Sequence, residues 1–215
     1  MEDFTGFWGQ TDAVGRAVAL LMLVMSVASW ALIIWKTWVL RRVARDLPRA
    51  LAAFWAAPDW ATGQERLEAI DREGVLAPLL AAAQTRELEG SLGHGAPRAA
   101  QLTRRLRDAL QGSLAHLRMG QVVLASVGST APFIGLFGTV WGIYHALVEM
   151  SVSGTVTVDK VSGPVGEALI MTAAGLAVAI PAVLAYNLLG KWIAAAEAEL
   201  EGFAHDLLAA AEPGA

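Results

Sequence analysis

Three long runs without a charged side chain constrain what this chain can fold into. Residues 17–35, AVALLMLVMSVASWALIIW, lie between Arg16 and Lys36. Residues 119–144 lie between Arg118 and His145, and residues 168–190, ALIMTAAGLAVAIPAVLAYNLLG, between Glu167 and Lys191. A bilayer core about 30 Å thick needs about 20 largely apolar residues in a helix. At 1.5 Å per residue the third run alone reaches about 34 Å. Each run is therefore expected to cross a membrane as a helix. Composition agrees, since only 17% of the 215 residues are charged, against about a quarter in soluble domains.

The same composition excludes several chemistries. A net charge of -4 gives no electrostatic support for binding nucleic acid. Without cysteine there is no disulfide framework and no thiolate metal site. The four histidines, His94, His116, His145 and His205, lack ligand spacing. No metal, no cofactor and no enzymatic constellation is expected.

Direction follows from the basic residues, which favour the cytoplasmic side. Of 16 Lys and Arg, twelve are arginines between Arg41 and Arg118, whereas the segment before Arg16 has none and 151–166 has only Lys160. The leader MEDFTGFWGQTDAVG is acidic where a signal peptide is basic, so the first run is expected to be a retained anchor. The expected order is an outer segment 1–15, a span 16–40, a cytoplasmic helical domain 41–118, a span 119–149, an outer loop 150–166, a span 167–190 and a cytoplasmic helix 191–215.

Residues 41–118 are expected to be helical, interrupted at Pro48, Pro58 and Pro78, with GSLGHGAP (90–97) as a loop. After Pro97, Leu102, Leu106, Leu110, Leu114 and Leu117 recur every three or four residues, predicting an amphipathic helix. Only Gly112 and Gly120 interrupt it, so one rod over 98–149 is expected. The third span continues as a stripe of Ile193, Ala196, Leu200, Phe203 and Leu207. Both extensions are expected to bundle in the cytoplasm, with Arg104, Arg105 and Arg107 facing solvent or lipid phosphates.

Small residues mark one face of each later span. Gly128, Ala131, Gly135, Gly138 and Gly142 share a face of the second, and Ala168, Thr172, Gly175, Ala179 and Ala182 a face of the third. Helices in lipid associate through close backbone approach at such residues. Three spans cannot easily surround two such helices, so a homo-oligomer is expected, its second and third spans packing between protomers. Pro132 and Pro181 are kink candidates.

The polar residues within these spans are few. Thr139 and Thr172 fall at similar depth if the two spans are antiparallel about a short loop. Two readings stand: the hydroxyls face a shared cavity, or each bonds its own helix carbonyl one turn back. Glu167 lies beside this layer at the outer interface, either as a functional acid or as a helix-start residue against the positive end of the dipole. Gly163 and Pro164 before it suit a helix start. Threonine does not titrate near neutral pH, and within the uncharged runs 17–35, 119–144 and 168–190 no side chain does; Glu167 stands next to the third. A proton path along them would need a carboxylate from a second protein.

APFIGLFGTVWGIYHAL (131–147) and GEALIMTAAGLAVAIPAVLAYN (166–187) resemble the signature regions of the ExbB/TolQ/MotA proton-channel family, with ExbB and TolQ the nearest branches. The resemblance covers about 128–190 and the topology; 41–100 is similar only in kind. It implies an all-α integral membrane protein, three transmembrane helices with long cytoplasmic extensions, assembled as a homo-oligomeric ring in the bacterial inner membrane, pentameric in the family. It places the family's pathway threonines on Thr139 and Thr172 and its glutamate on Glu167. The implied partners are an ExbD-like single-span protein with an intramembrane aspartate, a TonB-like energy transducer and membrane lipids. The implied role is energising TonB-dependent outer-membrane transport. A TolQ-like role in outer-membrane integrity and a non-conducting scaffold are the alternatives.

Overall fold

The structure, a computed structural model, describes residues 12–85, 97–153 and 158–211. They form six helices: α1 Ala13–Trp55, α2 Trp60–Ile70, α3 Ala77–Gln84, α4 Arg98–Arg118, α5 Gln121–Ser153 and α6 Val158–Ala211. Among the described residues, α1, α5 and α6 are long and apolar enough to cross a membrane. The chain divides into two compact units, one of residues up to Ile34 with Gly120–Asn187, the other of Trp35–Met119 with Leu188–Ala215.

In the first unit the small-residue faces of α5 and α6 meet each other. A methyl built on Gly135 would lie 2.6 Å from the Met171 carbonyl oxygen, and one built on Gly175 would lie 2.6 Å from that of Ala131. The contact continues toward the end of α5, where Gly142 faces Ala168, and toward its start, where Gly128 faces Val183. The glycine stripes of α5 and α6 thus pair with each other within one chain. Backbone approach at small residues drives the packing. Val18 and Met22 of α1 pack with Met171, and Val18 also meets Gly138. The outward face of α1, including Leu23, Val24, Val27 and Ile34, is exposed and apolar, as a lipid-facing surface requires. Ser29 is buried away from that face, and its hydroxyl is satisfied by donating to the Met25 carbonyl one turn back, at 2.8 Å.

The second unit is built as an amphipathic bundle. Leu102, Leu106, Leu114 and Leu117 of α4 are buried, as are Ile193, Ala196, Leu200, Phe203 and Leu207 of α6 and Leu40, Val43, Leu47 and Phe54 of α1. Both stripes are the ones the leucine and alanine spacing predicts, though Leu110 stays only half-buried. Phe54 packs edge-on against Phe203 and Trp60, at 5.5 and 5.3 Å between ring centroids. Asp59 caps α2 by accepting from the Thr62 amide. The Asp71 carboxylate accepts the amides of Val75, Leu76 and Ala77, holding the turn into α3.

Three expectations are corrected by the backbone. Pro48 lies inside α1, which continues to Trp55; its neighbours Leu47 and Ala50 are fully packed, and that burial offsets the missing hydrogen bond. Pro58 and Pro78 fall as expected, in the turn after α1 and in the first turn of α3. The single rod over 98–149 is broken. Helix α4 ends at Arg118, and Gly120 takes φ +86°, a left-handed conformation that glycine adopts without a Cβ clash. Finally, 151–166 is helical at 151–153 and again from 158, so Glu167 stands well inside α6, and Pro164 with it. Glu167 is thus not a helix-start residue. The central part of that connection, 154–157, lies outside the described residues, as do the first eleven residues and most of the loop expected at 90–97.

Candidate functional site

The antiparallel glycine contact decides where the hydroxyls go. With Gly135 against Gly175 and Gly142 against Ala168, Thr139 of α5 and Thr172 of α6 are brought face to face. Their oxygens are 2.5 Å apart. Thr139 is buried, 7% exposed, and its hydroxyl also lies 2.9 Å from the Ala168 carbonyl and 3.2 Å from that of Gly135. Thr172 remains partly open to the surface. The depth match read from the sequence is therefore a direct contact. The two readings of these hydroxyls are not exclusive, because Thr139 bonds its own helix and also reaches across to α6.

Glu167 is not hydrogen-bonded to either threonine. It lines a cavity of about 320 Å³ between the start of α1, the later part of α5 and the earlier part of α6, together with Asp12, Trp141, His145 and Glu149. Among the described residues its carboxylate has no hydrogen-bond or ion-pair partner. Gly138 and Gly142 also line this cavity. Pro132 and Pro181 lie inside α5 and α6 without ending either helix.

Asp12 and Trp141 are the part of this arrangement that sequence reading missed. One Asp12 oxygen accepts from the Gly15 amide at 2.8 Å, capping α1, and the other accepts from the Trp141 indole Nε1 at 2.7 Å. The Trp141 ring also stacks on His145. Burial works against ionising Asp12. The Trp141 and Gly15 hydrogen bonds and the charge of His145 outweigh it, and the carboxyl sits below its ordinary range. Because the folded pKa is the depressed one, this contact is at full strength above about pH 4 and weakens as pH falls through the lowered value. The Asp12 side-chain carboxyl carbon resonance is therefore expected to titrate with its midpoint below the ordinary Asp range. A shift centred at or above pH 4 would contradict the assignment. The signal available in the sequence was Asp12 immediately before an apolar helical run, an N-cap pattern.

Comparison with known proteins identifies the family. The family model for the MotA/TolQ/ExbB proton channel family matches residues 72–202, which contain α3, α4, α5 and most of α6 with Thr139, Glu167 and Thr172. The chain belongs to the MotA/TolQ/ExbB proton channel family. It is 40% identical over 206 residues to "Biopolymer transport protein ExbB" of Xanthomonas campestris pv. campestris, covering 91% of this chain and 80% of that protein. It is 38% identical to the protein of the same name from Neisseria meningitidis, with 91% of each chain covered. It is 31% identical to "Tol-Pal system protein TolQ" of Haemophilus influenzae, covering 94% of this chain and 90% of that one. As a member of the MotA/TolQ/ExbB family with three apolar helices, it is a membrane protein and a subunit of the proton-channel class.

Proposed function

We propose that this chain is the ExbB-like subunit of an inner-membrane motor that uses the proton motive force to energise TonB-dependent outer-membrane transport. The supporting observation is the Thr139–Thr172 contact, a neutral hydroxyl layer held between two apolar helices by glycine packing. Such a layer binds a proton carrier without itself titrating. In this reading several copies, five by family resemblance, form a ring in the inner membrane with the N-terminus periplasmic and the C-terminus cytoplasmic. An ExbD-like single-span partner brings the intramembrane aspartate, and a TonB-like protein receives the work. Thr139, Thr172 and Glu167 line the proton path, Glu167 through the outer cavity. Gly135, Gly138, Gly142 and Gly175 hold the two helices together.

The relatives named ExbB favour this assignment over a TolQ-like role in outer-membrane integrity, which the Haemophilus influenzae similarity keeps as the second reading. Removing both hydroxyls at nearly constant volume, Thr139→Val with Thr172→Val, is expected to lower iron-siderophore uptake at least tenfold at unchanged membrane levels of the protein. Uptake equal to wild type would refute the pathway role. Intact uptake in a deletion strain that instead leaks periplasmic proteins would favour the TolQ-like reading.

A further inference from the structure

We infer that the hydroxyl layer is directional: Thr139 is a positioning residue, and Thr172 meets an incoming group only as a hydrogen-bond acceptor, so that the layer takes a protonated carboxyl and disfavours a carboxylate. The inference rests on the proposed function, because the incoming acid is the partner's.

The direction follows from counting hydrogens. A threonine hydroxyl carries one hydrogen and two lone pairs, and a carbonyl oxygen only accepts. Around the Thr139 oxygen lie two carbonyl oxygens, of Ala168 at 2.9 Å and Gly135 at 3.2 Å, and the Thr172 oxygen at 2.5 Å. If Thr139 donated to Thr172, its own lone pairs would face both carbonyls with no hydrogen between them. Two such oxygen–oxygen contacts, buried away from water, are repulsive. Thr139 therefore donates toward Ala168, and Thr172 donates to Thr139. The hydrogen of Thr172 is then committed inward. What it presents on its partly open side is lone pairs.

Two consequences separate the threonines. A proton cannot pass on through Thr139, since its hydrogen ends on carbonyls that have nothing further to release. Thr139 acts by fixing which way the Thr172 hydroxyl points. Thr172 in turn gains a hydrogen bond from a carboxylic acid, a hydronium or a water, and gains none from a carboxylate. The ring wall is thus selective for the loaded form of the partner's acid.

The test uses the complex of this chain with its co-purifying partner, reconstituted in lipid, with the partner's intramembrane carboxyl followed by its infrared carbonyl band across pH. An acceptor that stabilises the protonated form raises the pH at which that form persists, and one hydrogen bond is expected to move the midpoint by about one pH unit. Thr172→Val should lower the midpoint by that amount, while Thr172→Ser and Thr139→Ser, which keep the hydroxyls, leave it in place. A midpoint that rises or stays fixed in Thr172→Val overturns the inference. A complex without any acid-bearing helix fails the proposed function itself and is distinguishable from that result. If the valine variant does not assemble, threonine-labelled wild-type chain supplies the second measurement. The Thr172 hydroxyl proton is expected to exchange slowly with water because it is bonded to Thr139, and a freely exchanging Thr172 proton overturns the assignment.

Discussion

Gly135→Leu is expected to prevent the chain from accumulating as a folded protein in the membrane. A single methyl at this position already meets the Met171 carbonyl oxygen at 2.6 Å, with Thr172 and Gly175 Cα atoms at 3.2 and 3.1 Å. These are backbone atoms of α6, and they have no rotamer into which to retreat. Leucine must push the two helices apart, separating Thr139 from Thr172 and opening the contact along its length. Overpacking at a close backbone approach costs about 3 kcal/mol or more, a large share of the stability of an ordinary domain. Gly135→Ala should show the same loss in milder form. Gly112→Ala is the control, since a methyl there meets nothing within 4 Å and alanine gains up to about 1 kcal/mol over glycine in a helix. Membrane abundance measures the leucine variant, and thermal unfolding in detergent measures the two alanine variants and any leucine protein that does accumulate. A Gly135→Leu protein with wild-type abundance and melting would mean that α5 and α6 do not touch here.

Lys36→Met should lower stability by about 3 kcal/mol, because hydrogen bonds to a charged donor are each worth roughly 1.5–3 kcal/mol when buried. Lys36 is 3% exposed, and its ammonium donates to the last carbonyls of α4, those of His116 and Leu117, both at 3.1 Å. A helix end leaves such carbonyls without intrahelical donors and carries the negative pole of the dipole. A buried cation answers both needs, and the Trp35 ring 4.9 Å away adds a cation–π contact. Methionine keeps the length of the side chain and removes the three donors, so packing is held nearly constant while the Leu117 carbonyl loses its donor and that of His116 keeps only the Met119 amide. Lys36→Arg retains the charge and should recover part of the loss. Melting of the methionine variant at the wild-type temperature would show that water, rather than Lys36, satisfies these groups.

These two positions also show what was legible beforehand. The spans were readable because the bilayer sets a length that uncharged runs either meet or miss. The alignment of Thr139 with Thr172 was readable because antiparallel helices joined by a short connection pair residues at equal distances from it. What the small residues touch was not readable. A glycine face records that something comes close without recording what, and here α6 of the same chain answers for α5. Lys36 read only as the flank of an apolar run, since a lysine at a span end looks the same whether solvated or buried against carbonyls 80 residues away. Asp12 and Trp141 are separated by 129 residues, beyond any periodicity. The stop at Gly120 was hidden for another reason: glycine inside a helical pattern is compatible with continuing or ending, and the donors available to the preceding carbonyls decide between them.

The contact of the Gly135 and Gly175 backbones has a mechanical consequence. Helices separated by large side chains can slip in register by letting those side chains change rotamer. Where main chain lies on main chain, sliding by even one residue drives a Cα into a carbonyl, so shear between α5 and α6 is blocked. The hairpin can tilt or turn only as one stiff blade. The threonines keep their alignment through every such motion, and whatever switches the channel must arrive from outside the blade.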